Sequence, residues 1–376
     1  MPTNPYTETV RRTTERRETG EAMPIVKPIN WLRRGVKEFL ARGGLRLALP
    51  FCPDHAHIVT FHGLIDGPPR YATENTGGKH ISVEDFRRIV DWLRRHFPLV
   101  HLHDVIDSLA GGKPLPRNSV AITFDDGYES NYLLAYPLLR KHAIPATVFL
   151  TTRFLEERAP LWTCRVEYAV GRSQRTEARF EIEGTVVSGT LNSDGERVEL
   201  LRRLKNALKA TDQSRLDEYC GSIEDQLGVR LDLAGDDEPA RQPLSWKQVS
   251  EMADSGLISF GGHSHRHVIL GRCQEESMRE EVRLCNDVLR TRLGDAQRTF
   301  AYPNGKPGDY SQTSHEAVAA AGFSCALITV EGPCTVGRTS PFGAPRVSVS
   351  GDTEPWSLVG RLVRPGSNAA TVRTED

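Results

Sequence analysis

Ser119-Val120-Ala121-Ile122-Thr123-Phe124-Asp125-Asp126-Gly127-Tyr128 runs from a short apolar stretch straight into two adjacent carboxylates. The apolar part predicts a buried strand over Ser119 to Phe124. Two like charges at the edge of a core are costly unless a cation or another partner compensates them. A metal resolves that cost, with one carboxylate ligating it and the neighbour left to accept a proton. Asp-Asp-Gly is also ordinary turn chemistry, so this stretch alone leaves both readings open.

Outward from it, apolar strands and amphipathic helices alternate. Towards the N-terminus, His57 to Phe61 is a strand ending in His62-Gly63, Val83 to Phe97 has helical spacing, and Leu99 to Leu102 reads as a strand. Towards the C-terminus come a helix over Tyr132 to His142 and a strand over Ala146 to Leu150. After a break the pattern resumes: helix Trp246 to Ala253, strand Ile258 to Gly261, helix Ser277 to Leu293. Strand Thr299 to Ala301, helix Tyr310 to Ala321 and strand Cys325 to Thr329 complete it. Such alternation predicts an α/β fold whose parallel sheet is covered on both faces. In barrels of this kind the chemistry sits at the C-terminal ends of the strands.

The break, about residues 155–243, has another character. Arg179 to Leu191 alternates like a β-hairpin, and Gly195 to Val229 is helical and highly charged. It is expected to be either a cap over a binding face or a peripheral insertion. Residues 1–50 form an N-terminal extension, polar and disordered at first, then a basic amphipathic helix over Trp31 to Leu49. That helix either packs on the domain's own surface or makes a peripheral membrane contact. Residues 51–350 are assigned to the barrel and 351–376 to a C-terminal tail.

Composition narrows the function. With 376 residues, 38% of them hydrophobic, the chain can bury a full core. Lys plus Arg number 48 against 49 Asp plus Glu, so no global field attracts a polyanion and nucleic acid is not an expected partner. The seven cysteines are odd in number and show no Cys-x-x-Cys spacing, which favours a reducing compartment. No apolar run approaches the ~20 residues of a membrane span, and the N-terminus lacks the apolar core of a signal peptide. The expected location is cytoplasmic, with contact at the inner face of the membrane as an option. Oligomeric state is not legible.

The second chemical signal is Gly261-Gly262-His263-Ser264-His265-Arg266-His267, again just past a strand. If the segment turns helically, His263 and His267 share one face at i, i+4 and His265 points elsewhere. Neutral imidazole is a good Zn²⁺ ligand. Asp126, His263 and His267 then make three protein ligands, which leaves a coordination position open, as in catalytic rather than structural sites. Asp125 stands beside them as the general base.

On Thr123-Phe124-Asp125-Asp126 and His263-Ser264-His265-Arg266-His267, the chain resembles the polysaccharide deacetylases (carbohydrate esterase family four). The likeness extends more weakly from about His57 to Val349, interrupted by the insertion. It implies a distorted (β/α)₇ barrel, here with a central insertion and an N-terminal helical extension. It also implies a divalent metal, Zn²⁺ first, and hydrolysis of N-acetyl or O-acetyl groups on sugars. Asp125 is the implied base, and Asp126, His263 and His267 the implied ligands. The later family motifs depart: Ala301 replaces an arginine that holds the catalytic aspartate, and Asn304 stands where a tyrosine offers its backbone N–H to the oxyanion. Arg346, in Ala344-Pro345-Arg346-Val347, is the candidate to replace the arginine. The family's final histidine, its general acid, has no counterpart, since His315 belongs to a helix. His62 is the candidate acid. Tyr128, Trp162 (as a stacking face) and Asn304 are the expected substrate contacts.

The expected function is therefore removal of N-acetyl groups from an amino-sugar-containing oligo- or polysaccharide or its precursor, such as a lipid-linked saccharide. Competing expectations are deacylation of a non-sugar amide or an O-acetyl ester, and a catalytically silent carbohydrate-binding protein.

Overall fold

The computed structural model describes residues 55–295, 299–351 and 353–362. The expected extension, with its helix over Trp31 to Leu49, and the end of the tail lie outside the described residues.

Twelve strands are present among the described residues: β1 (His57–Phe61), β2 (Leu64–Ile65), β3 (Ile81–Ser82), β4 (Val120–Phe124), β5 (Ala146–Leu150), β6 (Glu177–Ile182), β7 (Thr185–Thr190), β8 (Ile258–Gly262), β9 (Thr299–Ala301), β10 (Cys325–Ile328), β11 (Ala344–Pro345) and β12 (Val347–Ser348). Eight of them make one parallel sheet in the order β11-β10-β9-β8-β5-β4-β1-β12. The two ends of that order are one stretch of chain, split at Arg346. Its first half pairs with β10 and its second half with β1. Counted as a single stave, it closes a seven-stave barrel.

Every residue of β1, β4 and β5 is buried, which is why these strands read as continuous apolar runs rather than alternating ones. At Gly261 a Cβ would come within 2.6 Å of the Thr299 carbonyl oxygen, so β8 needs glycine for its close approach to β9. Among the outer helices, α1 (Val83–His96) is capped by Ser82, whose side chain accepts from the Asp85 N–H. It buries Phe86, Ile89, Val90 and Leu93 against the sheet.

Two local expectations are corrected. Leu99 to Leu102 is not a strand: Leu99 makes one parallel bridge to Val120, and Leu102 already opens α2 (Leu102–Leu109). The predicted helix at Tyr132 begins as a wide π-type turn over Asn131–Ala135 before α3 (Tyr136–Lys141). That turn brings the Asn131 side chain onto the carbonyl of His62, 2.8 Å away. After α4 (Thr152–Glu156) the chain enters the insertion.

The insertion consists of α5 (Trp162–Arg172), the antiparallel hairpin β6–β7, α6 (Asp194–Ala210) and α7 (Leu216–Leu227). It has an apolar core of its own, including Val166, Phe180, Leu200, Leu204, Leu208 and Ile223. A capping box between Ser193 and Glu196 starts α6. Polar bonds fasten the unit to the barrel: Arg153 to Asp217 at 2.5 Å, Lys209 to Asn304 at 2.8 Å, and the Ile269 N–H to Gln213 at 3.3 Å. Helices α8 (Trp246–Asp254), α9 (Glu275–Leu293) and α10 (Gln312–Ala320) complete the outer layer. A further helix, α11 (Pro355–Leu362), buries Leu358, Val359 and Leu362 in the main core, so the barrel unit runs on past residue 350.

Candidate metal centre

Asp126 follows β4, and His263 follows β8, so both stand at the C-terminal rim of the barrel. His267 arrives there by a different route from the helical turn expected. Ser264 (φ 58°) and His267 (φ 62°) are both left-handed, which folds the segment into a sharp loop. The loop is pinned by backbone bonds from Thr152 N–H to Ser264 O (3.3 Å) and Arg153 N–H to His265 O (2.9 Å). His265 points away, its Nδ1 at 2.9 Å from the Thr152 hydroxyl. Asp126 (φ 78°) and Asn304 (φ 62°) are left-handed as well. Strained backbone thus gathers at this rim, where the surrounding structure must hold it.

The three side chains converge. Asp126 Oδ1 lies 3.4 Å from His263 Nε2 and 3.1 Å from His267 Nε2. One donor atom from each residue falls within 4.8 Å of the others. Yet Asp126 Oδ1 is buried without a hydrogen-bond partner. Three electron-pair donors aimed at one point, one of them an orphaned buried carboxylate oxygen, suit a cation. His263 Nδ1 donates to the Ala301 carbonyl at 2.7 Å, which fixes the tautomer and leaves Nε2 free to ligate. Burial opposes charge on Asp126, but His267 and His263 outweigh it and hold its carboxyl well below the ordinary range. Burial likewise disfavours a charged His263; Asp125 and Asp126 prevail and raise its pKa. For His267 burial wins over Asp126, and the pKa is lowered.

Asp125 is buried beside this cluster, and its Oδ1 accepts from Arg346 Nη1 at 2.7 Å. Arg346 is fully buried, its guanidinium over the Phe149 ring and its Nη1 also 3.2 Å from Thr60 Oγ1. Burial pushes the Asp125 carboxyl up, but Arg346, His263 and His62 bring it below its ordinary value. The guanidinium, offered by the stretch between β11 and β12, is thus the group that holds the Asp125 carboxylate.

A cavity of about 280 Å³ opens over these groups; His62, Asp125, Asp126, His263, His267 and Asn304 are all on its wall. Burial lowers the His62 pKa despite Asp126 and Asp125. Asn304 is held through its side chain, which accepts from Lys209 and donates to Asp309. His315 stacks on Tyr310 in α10 instead.

Two expected substrate contacts need correction. Tyr128 is fully buried and outside the cavity wall: the turn at Gly127 (φ 88°) sends it inward, where its hydroxyl meets Lys79 at 2.7 Å. Trp162 does reach the wall, but it is only 4% exposed and belongs to the insertion's core, so it leaves little surface for a sugar ring to stack on. The sequence reading missed four lysines on the wall, Lys79, Lys205, Lys209 and Lys306. The only trace of them in the sequence is the i, i+4 spacing of Lys205 and Lys209.

The parallel barrel thus carries at its mouth an Asp-His-His cluster that fits a metal ion, beside a buried, arginine-held carboxylate. The sequence model of the polysaccharide deacetylases matches residues 112–326, more than half of the chain, and the protein belongs to that family. Poly-β-1,6-N-acetyl-D-glucosamine N-deacetylase of Escherichia coli (strain K12) is 41% identical over 56 residues, 15% of this chain and 8% of that protein. The protein of the same name from Staphylococcus aureus (strain N315) is 37% identical over 78 residues, 20% of this chain and 27% of that one. The matches thus span well under a third of these relatives. Among solved structures, IcaB from Ammonifex degensii superposes with a TM-score of 0.53 at 22% identity, covering 83% of this chain and 98% of that one. The Streptococcus pyogenes deacetylase PplD superposes with 0.54 at 17% identity, covering 83% and 100%. Likenesses at this identity show the shared fold.

Proposed function

We propose that this chain is a zinc-dependent hydrolase that removes N-acetyl groups from an amino-sugar-containing oligo- or polysaccharide or its precursor. One observation carries the proposal: Asp126, His263 and His267 converge on a point beside Asp125, which is itself bonded to Arg346. The substrate class is supported by family membership and by the names of the relatives. Two imidazoles and one carboxylate are ligands that zinc accepts, and three of them leave room for water and substrate.

Bound there, the ion supplies Lewis acidity to the scissile carbonyl and to water. The protein's own groups do the rest. Asp125 takes a proton from the attacking water, and Arg346 keeps that carboxylate ionised and aimed. The Asn304 backbone N–H is offered to the oxyanion, a role that needs no particular side chain. That proton then passes from Asp125, by way of the His62 imidazole on the same wall, to the departing amine, so that acetate and a free amino sugar leave. Among the described residues, six free thiols, five of them buried, support a reducing and hence cytoplasmic place of action; cell fractionation that finds the protein outside the cell overturns that part.

The test is a metal analysis of the purified chain combined with acetate release from N-acetylglucosamine oligomers. About one equivalent of zinc, and release that Asp125→Asn lowers by roughly 10²-fold or more, is the expected result. Release from simple amides or O-acetyl esters alone would reassign the substrate. Saccharide binding without any turnover would make the protein a binding module.

A further inference from the structure

Four lysines line the cavity that contains the metal centre. Lys205 and Lys209 come from α6 of the insertion, Lys79 from the segment before β3, and Lys306 from the segment after β9. Spaced four apart, Lys205 and Lys209 share one face of α6 and sit about 6 Å apart along its axis. Like charges at that spacing disfavour a helix. The arrangement therefore costs stability unless something in the cavity repays it.

The nearby carboxylates do so only in part. Lys205 is ion-paired with Glu167. Lys79 bonds the Tyr128 hydroxyl at 2.7 Å, and Lys209 bonds the Asn304 amide oxygen at 2.8 Å, both neutral acceptors. Among the described residues, neither of these two lysines nor Lys306 has a carboxylate within ion-pair distance. Asp125 is committed to Arg346, and Asp126 belongs to the ligand set. Burial, together with Lys205 and Lys306, pushes the Lys209 pKa down, and Asp309 offsets them only in part. The chain as a whole carries a formal charge of −1, so the patch does not reflect a basic composition. The C-terminal dipole of α6 favours a cation at Lys209, but it does not reach Lys205 a turn earlier and has no bearing on Lys79 or Lys306.

A neutral acetylated sugar needs hydrogen-bond partners and apolar faces, not converging ammonium groups. We infer that the substrate carries an anionic substituent, a phosphate or a carboxylate on the saccharide, which seats among Lys209, Lys306, Lys205 and Lys79 while the acyl group meets the metal centre. The inference rests on the hydrolase reading of this cavity and adds the charge class of its substrate. Lys209 and Lys306 are the specificity residues, because neither is ion-paired, whereas Lys205 is held by Glu167 and Lys79 feels both Glu167 and Asp126.

The experiment uses the zinc-loaded full chain carrying Asp125→Asn, so that binding is read without turnover. Calorimetry compares N-acetylglucosamine with N-acetylglucosamine 1-phosphate and N-acetylglucosaminuronic acid. At least one charged sugar is expected to bind about tenfold tighter than the neutral one at low salt, with the advantage shrinking as salt rises. Whichever charged sugar wins tells phosphate from carboxylate. Adding Lys209→Met and Lys306→Met is expected to bring the charged-to-neutral ratio down to about one, with a thermal melt confirming the fold. Equal binding of charged and neutral sugars, or no detectable binding of either charged sugar, overturns the inference. So does a preference that survives both lysine substitutions, because the anion then sits on the metal. Acetate release by the unsubstituted chain separates the two readings. Equal release from neutral and charged sugars keeps the hydrolase and removes the anion site. No release from any of them, with a lysine-dependent preference intact, does the reverse.

Discussion

The barrel mouth and the insertion beside it hold their charges in opposite ways. At the mouth the buried charges are held in a fixed frame: Arg346 lies 2.7 Å from Asp125, and two imidazoles flank Asp126 around the point left for a cation. These groups stand at or just past the ends of strands with no free edge, and they are almost wholly buried. On the cavity side of the insertion, Lys209 leans on a neutral amide and Lys205 shares a carboxylate from α5. Compensated buried charges are unforgiving, because removing one partner strands the other. Uncompensated charges at a cavity wall can be changed at little structural cost. The mouth is therefore organised for a fixed reaction, and the insertion for a substrate that comes and goes.

Substitutions can break that comparison, and the largest effect is expected at the ligands. Asp126→Ala should reduce bound zinc to background and acetate release with it, and a chelator should do the same to the unsubstituted chain; plasma emission spectroscopy beside the assay reads both. A variant that keeps its zinc would show that the three side chains do not form the centre. Asp125→Asn should retain zinc and lower kcat by roughly 10²–10⁴-fold, the range of a lost general base.

Arg346→Met should cost about 3–5 kcal/mol of stability, because it leaves Asp125 buried and unpaired. Its pH profile is the sharper readout. Burial raises the Asp125 pKa, and Arg346 heads the groups that bring it below the ordinary value. Without the guanidinium that pKa rises. The carboxylate is the active form, so the acid limb of kcat should move to higher pH, whereas a purely structural arginine would leave the limb where it is.

In the insertion, Leu204→Ala removes a fully buried side chain from the local core. About 2–5 kcal/mol of stability should be lost, while zinc content stays near one equivalent; hydrogen exchange should report loosening in α5 to α7 ahead of the barrel. If zinc is lost as well, the two regions are one cooperative unit and the contrast drawn above fails. The smallest effect belongs to His265→Ala, which gives up its bond to Thr152 for about 1 kcal/mol and should leave zinc and kcat within about twofold. A large loss of metal there would move the ligand assignment.

Much of the barrel was legible because its strands are buried on both faces and so appear as short apolar runs. Tyr128 was misread for a local reason: a left-handed glycine one residue earlier reverses the chain, and periodicity does not register that. Trp162 sits in an apolar core whose other members lie up to 65 residues further along the chain. The Arg346 contact to Asp125 spans 221 residues, so the sequence offered the arginine only as a candidate.

By itself the sequence determined which residues end the strands, and that two of those ends carry carboxylates and imidazoles. Such features are local, set by a few neighbouring side chains and their preference for burial or turn. Only the tertiary structure decided that Asp126, His263 and His267 share a point, that Arg346 meets Asp125, and that four lysines face one cavity. Electrostatic energy depends on distance through space, and closure of the barrel is what makes those distances short.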